Sequence, residues 1–281
     1  MPEGPEIALI ASCLDSKIRN EKIDNVLIWK DSRYFKSKEL KYLEFNALKG
    51  KIIKEVSFKG KKIIFSFTDE SYMVSSLGLE GRWRILDDFN PEAKHISVIF
   101  YLKSRKILQF QDQRHFGEIK YYDALVDMDR VFEKSVGSPW IPSSMYPDIV
   151  TKDEFFSYLS NKKLYMKSIM MFLVDQKYTS GIGNYIRSDA LYLAKISPHR
   201  LINSLTKKES DQIYNAVIKI MDKAIKAGGH TLSTYFTPIG DLGGYVPYVY
   251  GRKISHPKGE EITREFDSQK RSIFWVEPAQ G

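Results

Sequence analysis

Among its 281 residues the chain has a single cysteine, Cys13. One thiol cannot build a disulfide framework or a cysteine-ligated zinc site, because either needs several sulfurs. Long apolar runs are missing too, and nothing approaches the roughly 20 residues that a membrane-spanning helix requires. The opening Met1-Pro2-Glu3-Gly4-Pro5-Glu6 lacks the basic and then apolar character of a secretion signal. These absences lead us to expect an intracellular globular protein with no membrane partner and no bound metal.

What remains is ordinary folding material with a basic tilt. Apolar residues make up 43% and charged residues 28%, a balance that favours a packed core over disorder. The length allows one large domain or two of ordinary size. The net charge of +8 is uneven, with 24 basic against 22 acidic residues through position 150 and 19 against 13 beyond it. A basic second half suits a polyanion such as nucleic acid, although many basic domains bind none.

Ile7, Ile10, Ala11, Leu14 and Ile18 recur at helical spacing, and Pro5 with Glu3 and Glu6 suits a helix start. Short β-rich runs follow at Asn25–Trp29, Ile52–Ser57, Lys62–Phe67, Tyr72–Leu77, Trp83–Leu86, Ile96–Leu102, Ile107–Phe110 and Glu118–Tyr122. Their spacing suggests a sandwich or barrel. A proline-rich break from Gly137 to Pro147 reads as a linker. Beyond it, Thr151 with Glu154 and Thr206 with Glu209 look like capping boxes. The stripe Ile213, Ala216, Val217, Ile220, Ala224 runs to a stop at Gly228-Gly229. Tyr248–Arg252, Glu261–Phe266 and Ser272–Val276 return to strand character. The expected division is 1–135, a linker at 136–150, and 151–281 with a terminal hairpin region from about 248.

Four local features could carry chemistry. Removal of Met1 before proline would expose the secondary amine of Pro2, with a pKa of about 8 against about 10.4 for a lysine. Attack on a sugar aldehyde carbon by such an amine gives an iminium that cannot lose its charge at nitrogen. The same residues also make an ordinary helix start. Phe58-Lys59-Gly60-Lys61-Lys62 could grip phosphate or be a solvated turn. Gly181-Ile182-Gly183-Asn184 could place N–H groups and the Asn184 amide on a phosphate at a helix N-terminus, or merely join two helices. Arg271, ahead of Ser272-Ile273-Phe274-Trp275, offers a guanidinium fork at a hairpin tip, or only a charge guarding a strand edge.

Taken in order along the chain, these motifs resemble the formamidopyrimidine-DNA glycosylase and endonuclease VIII family. The likeness includes Pro2-Glu3-Gly4-Pro5-Glu6, the Lys-Gly-Lys turn, Leu77-Gly78-Leu79-Glu80-Gly81 and Asp112-Gln113-Arg114-His115-Phe116-Gly117. It continues through Asp175-Gln176, Gly181-Ile182-Gly183-Asn184, Ser197-Pro198, Gly228-Gly229-His230-Thr231, Val249-Tyr250-Gly251-Arg252 and Arg271-Ser272-Ile273-Phe274. The resemblance implies an α+β fold, with an N-terminal helix and β-sandwich joined to a helical domain bearing a helix–two-turns–helix motif. Pro2 would be the nucleophile, Glu3 the acid, and Lys61 (or Lys62, if the match slips) the lysine beside the lesion phosphate. Asn184 and Arg271 would hold the DNA backbone, and Leu79, Arg114 and Phe116 would fill the gap left by the everted nucleotide; Phe116 could instead be core. Relatives often staple the terminal hairpin with zinc held by two Cys-x-x-Cys pairs. Here Ser255, Lys258, Val276 and Ala279 stand near those positions, so a zinc-less hairpin is expected.

The implied activity is excision of oxidised bases, with oxidised pyrimidines and formamidopyrimidines favoured, followed by β,δ-elimination of the strand. No cofactor is expected. Damaged duplex DNA is the expected partner, with single-stranded DNA left open, and the protein is expected to be a monomer. Base choice would rest on the loop around residues 235–247. Two rival classes remain at this level: a DNA-binding module without chemistry, and a structural RNA binder.

Overall fold

The computed structural model describes residues 2–30, 32–36, 44–90, 93–231, 237–277 and 280. Met1, Ala279 and residues 235 and 236 of the base-choice loop lie outside them. Helix α1 (Gly4–Ile18) forms where the first apolar stripe predicts it, and all five stripe residues are buried. Glu3 occupies the N-cap position, and its N–H donates to the Glu6 carboxylate at 2.9 Å. The stripe packs on the sheet beside it, while α1 also touches a long helix of the second half.

Eight strands follow: β1 (Ile23–Ile28), β2 (Ile53–Lys59), β3 (Lys62–Phe67), β4 (Tyr72–Ser76), β5 (Arg82–Leu86), β6 (Ile96–Leu102), β7 (Ile107–Gln111) and β8 (Glu118–Tyr122). Each end falls within two residues of its expected position. They pair antiparallel as two four-stranded sheets, β1-β6-β7-β5 and β2-β3-β4-β8. Trp83 is the hub between the sheets, with ring centres 5.2 Å from Phe65 and 5.0 Å from Phe110. Its indole N–H donates to the Ser75 hydroxyl at 3.1 Å, so the polar edge of a buried ring is satisfied.

Helix α3 (Leu125–Ser135) was not expected, because Val126 and Val131 face solvent and blur the apolar stripe. Its Met128 and Phe132 cover Ile64 and Val74 on the outer face of the second sheet. A short helix, α2 (Arg33–Lys36), precedes β2. The proline-rich stretch after α3 is fastened at both sides. Ser143 Oγ donates to the Phe58 carbonyl at 2.7 Å, and the Gly137 N–H to the Gln176 carbonyl at 2.8 Å.

The second half holds α4 (Lys152–Leu159), α5 (Ile169–Phe172), α6 (Asn184–Ala194) and α7 (Lys207–Lys226) around their own core. Thr206 and Glu209 close a full capping box at α7. At α4 only half forms: Thr151 accepts the Glu154 N–H, but the Glu154 carboxylate accepts from the Ser138 and Tyr158 hydroxyls instead. The chain ends in the hairpin β9 (Thr263–Phe266) and β10 (Ser272–Trp275). Tyr248–Arg252 is not a strand, contrary to expectation. The N–H groups of Tyr248, Val249 and Tyr250 all donate to the buried Asp189 carboxylate, which leaves none of the three for a ladder. No helix among the described residues is long and apolar enough to cross a membrane.

Candidate active site

Three backbone segments meet with almost nothing between them. Gly181, at φ +96°, lies such that a Cβ there would stand 3.5 Å from the Cα atoms of both Gly4 and Gly60. The Gly4 N–H donates to the Gly181 carbonyl at 2.8 Å. Gly60 also has positive φ, and a side chain on it would run into Ser180. Glycine at these points lets backbones approach closer than a Cβ allows. As a result the chain start, the β2–β3 lysine turn and the loop ahead of α6 share one junction, where Pro2, Lys61 and Asn184 belong to adjoining segments. Gln176 shapes that loop: its amide nitrogen donates to the Ile182 carbonyl at 2.8 Å and its oxygen accepts the Gly181 N–H at 3.0 Å.

Gly183 has a different task. A Cβ there would fall 2.2 Å from the Glu3 side chain. Glu3 is buried, and its carboxylate accepts the N–H groups of Tyr185 at 3.0 Å and Ile186 at 3.4 Å, at the positive end of α6. This corrects the expected phosphate cradle of free N–H donors. Those two N–H groups are already occupied by Glu3 and are not offered to a ligand. Burial raises the Glu3 carboxyl above its ordinary range, against Lys61 and the two N–H donors, which lower it. Such a group is suited to giving up a proton.

Beneath it lies Glu6, which accepts from the Glu3 N–H (2.9 Å), the His230 N–H (2.9 Å) and the Tyr185 hydroxyl (3.1 Å). Burial first, and then the neighbouring Glu3 charge, push its pKa up to about 7 from 4.5. The folded protein therefore keeps a proton that the unfolded chain has lost between those values. Stability should fall as pH rises from about 4.5 to about 7, then level off. Glu6→Gln should flatten that decline in thermal melts taken across pH; an unchanged decline would assign it elsewhere.

Lys61 is half-buried, and among the described residues its ammonium makes no hydrogen bond or ion pair. Burial lowers its pKa, Glu3 and Glu6 oppose that, and Arg271 and Arg187 add to it. The same field therefore gathers both carboxylates and both arginines around Lys61. Lys62, the other lysine considered, feels Glu118 and Lys120 instead and faces away from this group.

Asn184 opens α6, and its Oδ1 accepts from Arg187 Nη2 at 3.2 Å. Arg187 is completely buried and pairs with Asp267 at 3.0 Å. Asp267 organises the hairpin tip: it accepts the Arg271 N–H at 3.0 Å, Arg271 Nε at 2.8 Å and the Gln269 N–H at 2.9 Å. Burial would raise its pKa, but these donors and Arg187 bring it down to about 2. Asn184 and Arg271, far apart in sequence, thus sit at the two ends of one polar chain. Neither Arg187 nor Asp267 was singled out from sequence. The available signal was an Arg187-x-Asp189 pair inside a helix otherwise apolar enough to be core.

Leu79 and Phe116 are exposed, Phe116 by 57%, which removes its core alternative. Arg114 lies over the Phe116 ring at 5.4 Å and pairs loosely with Glu80 at 3.7 Å. The two turns abut because Gly78, at φ +59°, packs on the Phe116 backbone. Asp112 pins the second turn by accepting the Arg114 and Gly117 N–H groups.

At the zinc positions of relatives the side chains are unsuited to metal. Val276 has no donor atom, and the Ser255 hydroxyl is spent on Glu260, which also accepts from the Tyr192 hydroxyl at 2.5 Å. Cross-links replace a staple there: Trp275 donates to Glu265 at 2.9 Å, and His199 meets Glu265 at 3.0 Å.

Comparison with known proteins places this arrangement. Residues 1–119 match the model of the formamidopyrimidine-DNA glycosylase N-terminal domain, and residues 146–236 match that of the formamidopyrimidine-DNA glycosylase H2TH domain. A formamidopyrimidine-DNA glycosylase of Streptococcus agalactiae is 32% identical over 254 residues, covering 90% of this chain and 89% of that protein. A Lactococcus lactis FPG mutant bound to Fapy-dG containing DNA superposes with TM-score 0.85 at 25% identity, covering 99% of each chain. The wild-type L. lactis protein with oxidized pyrimidine containing DNA gives 0.84 at 25% identity and the same coverage.

Proposed function

The chain belongs to the formamidopyrimidine-DNA glycosylase family, so it is a DNA glycosylase of oxidised-base repair with abasic-site lyase activity, and we propose that its chemistry runs through the Pro2 amine once Met1 is removed. The observation that carries this is the glycine junction, which puts the chain start beside Lys61, the α6 N-terminus and a carboxyl whose pKa is raised. In this reading the Pro2 nitrogen attacks the sugar C1′ and the damaged base leaves. Glu3 protonates the ring oxygen as the sugar opens to an iminium, and that electron sink then drives β- and δ-elimination.

Lys61, Asn184 and Arg271 take phosphates flanking the everted nucleotide, and Leu79, Arg114 and Phe116 fill its place in the stack. Eversion costs a few kcal/mol, and such grips and wedges offset it. Residues 1–135 and 151–281 act as two DNA-binding halves, with 136–150 joining them. The relatives' complexes support formamidopyrimidines and oxidised pyrimidines as substrates. Duplex DNA, a monomeric state and a location wherever that DNA lies, nucleus or nucleoid, belong to the same proposal.

Borohydride reduction during reaction with duplexes carrying these lesions should leave a covalent protein–DNA adduct, seen as a shifted band. Absence of an adduct with every such lesion, and with an abasic site, would overturn the amine mechanism.

A further inference from the structure

We propose that Arg187 is a positioning residue that sets the separation and orientation of the two phosphate grips, Asn184 and Arg271; the inference rests on the DNA-binding reading above. Arg187 follows Asn184 by three residues on α6, so the two side chains share a helix face. Its Nη1 donates to the Met170 carbonyl and to Asp267, both at 3.0 Å; its Nη2 donates to Asn184 Oδ1 and to the Ser272 carbonyl, both at 3.2 Å. One planar group thus touches the start of α6, the short helix α5 and both sides of the hairpin tip.

The chemistry of the donors fixes more than distance. A guanidinium only donates, so the Asn184 amide must turn its oxygen toward Arg187. Its NH2 is then left as the donor, with the Tyr250 hydroxyl as one partner, and its second N–H is what a phosphate oxygen requires. With the opposite amide orientation Asn184 would present an acceptor to an anion. On the other side, Asp267 receives Arg187 and Arg271 on the same oxygen, at 3.0 and 2.8 Å. The Arg271 fork is therefore aimed from the same guanidinium that aims Asn184.

Burying an ion pair adds little stability over a well-packed apolar pair, because desolvation cancels most of the attraction. Both partners here have no exposed side-chain surface. Geometry, more than stability, is what such a pair supplies. Here the brace on the hairpin passes through the helix that carries the other grip.

The test uses the full chain with Arg187→Lys and Arg187→Met, after melts establish that they fold. Lysine keeps the charge but cannot reach all four acceptors from one nitrogen. For cleavage of an abasic-site duplex, KM should rise about ten- to a hundredfold in both variants, as misplaced binding groups typically cost, with kcat within about threefold. The salt dependence of binding should become shallower by about one unit as Arg271 loses its phosphate, the uncharged Asn184 contributing nothing to the slope. Asn184→Ala should then weaken binding far less in the Arg187→Lys background than in the wild type.

Folded variants with wild-type KM and salt slope would overturn the proposal and leave Arg187 a packing residue. If neither variant folds, a cycle of Asn184→Ala with Arg271→Ala reads the link with Arg187 in place. Coupling of about fivefold or more supports it, and strict additivity overturns it. Failure of the underlying activity shows separately, since the wild-type chain would then neither bind nor cut the duplex.

Discussion

A chain that keeps any residue ahead of Pro2 is expected to lose abasic-strand cleavage and borohydride trapping by at least about a thousandfold, because the reacting nitrogen becomes an amide with its lone pair delocalised into a carbonyl. Pro2→Gly should still trap, since a primary α-amine forms an imine, but elimination should slow because that imine can shed its proton. The comparison matters because the site holds a second amine. Burial pushes the Lys61 ammonium below the usual lysine range, so it is a better nucleophile than a solvated lysine. A blocked chain that trapped as well as the free one would transfer the nucleophile to Lys61. Mass analysis of the reduced adduct, digested to peptides, reads the answer directly: the DNA remnant should sit on the first peptide and not on the one containing Lys61.

The largest stability effect is expected at Asp189, a carboxylate with no exposed surface that holds four donors. These are the Tyr245 hydroxyl at 2.7 Å and the N–H groups of Tyr248 (2.9 Å), Val249 (2.9 Å) and Tyr250 (3.2 Å). Asp189→Ala would strand buried backbone donors, each costing about 1–3 kcal/mol unless water reaches it, so a net loss of about 3–5 kcal/mol follows. In a protein of this size that lowers the melting temperature by about 10 °C. Val249 packs with Phe274 and Val276 under the hairpin, so β9 and β10 should loosen before the sandwich does. Hydrogen exchange would show the order, and equal loss of protection in both halves would contradict it.

How much of this could be read beforehand depends on the kind of interaction. Short runs rich in branched and aromatic residues placed β3, β6 and β8 to the residue, because strand-forming composition is recorded locally. Tyr248–Arg252 misled for the same reason: its residues suit a strand, yet a carboxylate some sixty positions earlier takes their N–H groups. Helix α3 escaped because its buried face is only Met128 and Phe132. Pro2, Glu3, Lys61, Asn184 and Arg271 were nameable from linear motifs, and the fold draws their segments together. The residues that connect them were not. Arg187 and Asp267 meet across 80 positions, and no local pattern marks a charge whose partner is that distant.

The glycine junction also bears on how the two halves move. Gly4, Gly60 and Gly181 are in contact backbone to backbone, α1 also touches the long helix of the second half, and the connecting stretch is bonded on each side. A jaw that opened and shut would have to break the backbone contacts of this junction at every cycle. The protein is therefore better described as an anvil than as a clamp. Compliance has to come from the nucleic acid, so the readiness of a damaged duplex to kink, and not the swing of a domain, governs which lesions reach the site quickly.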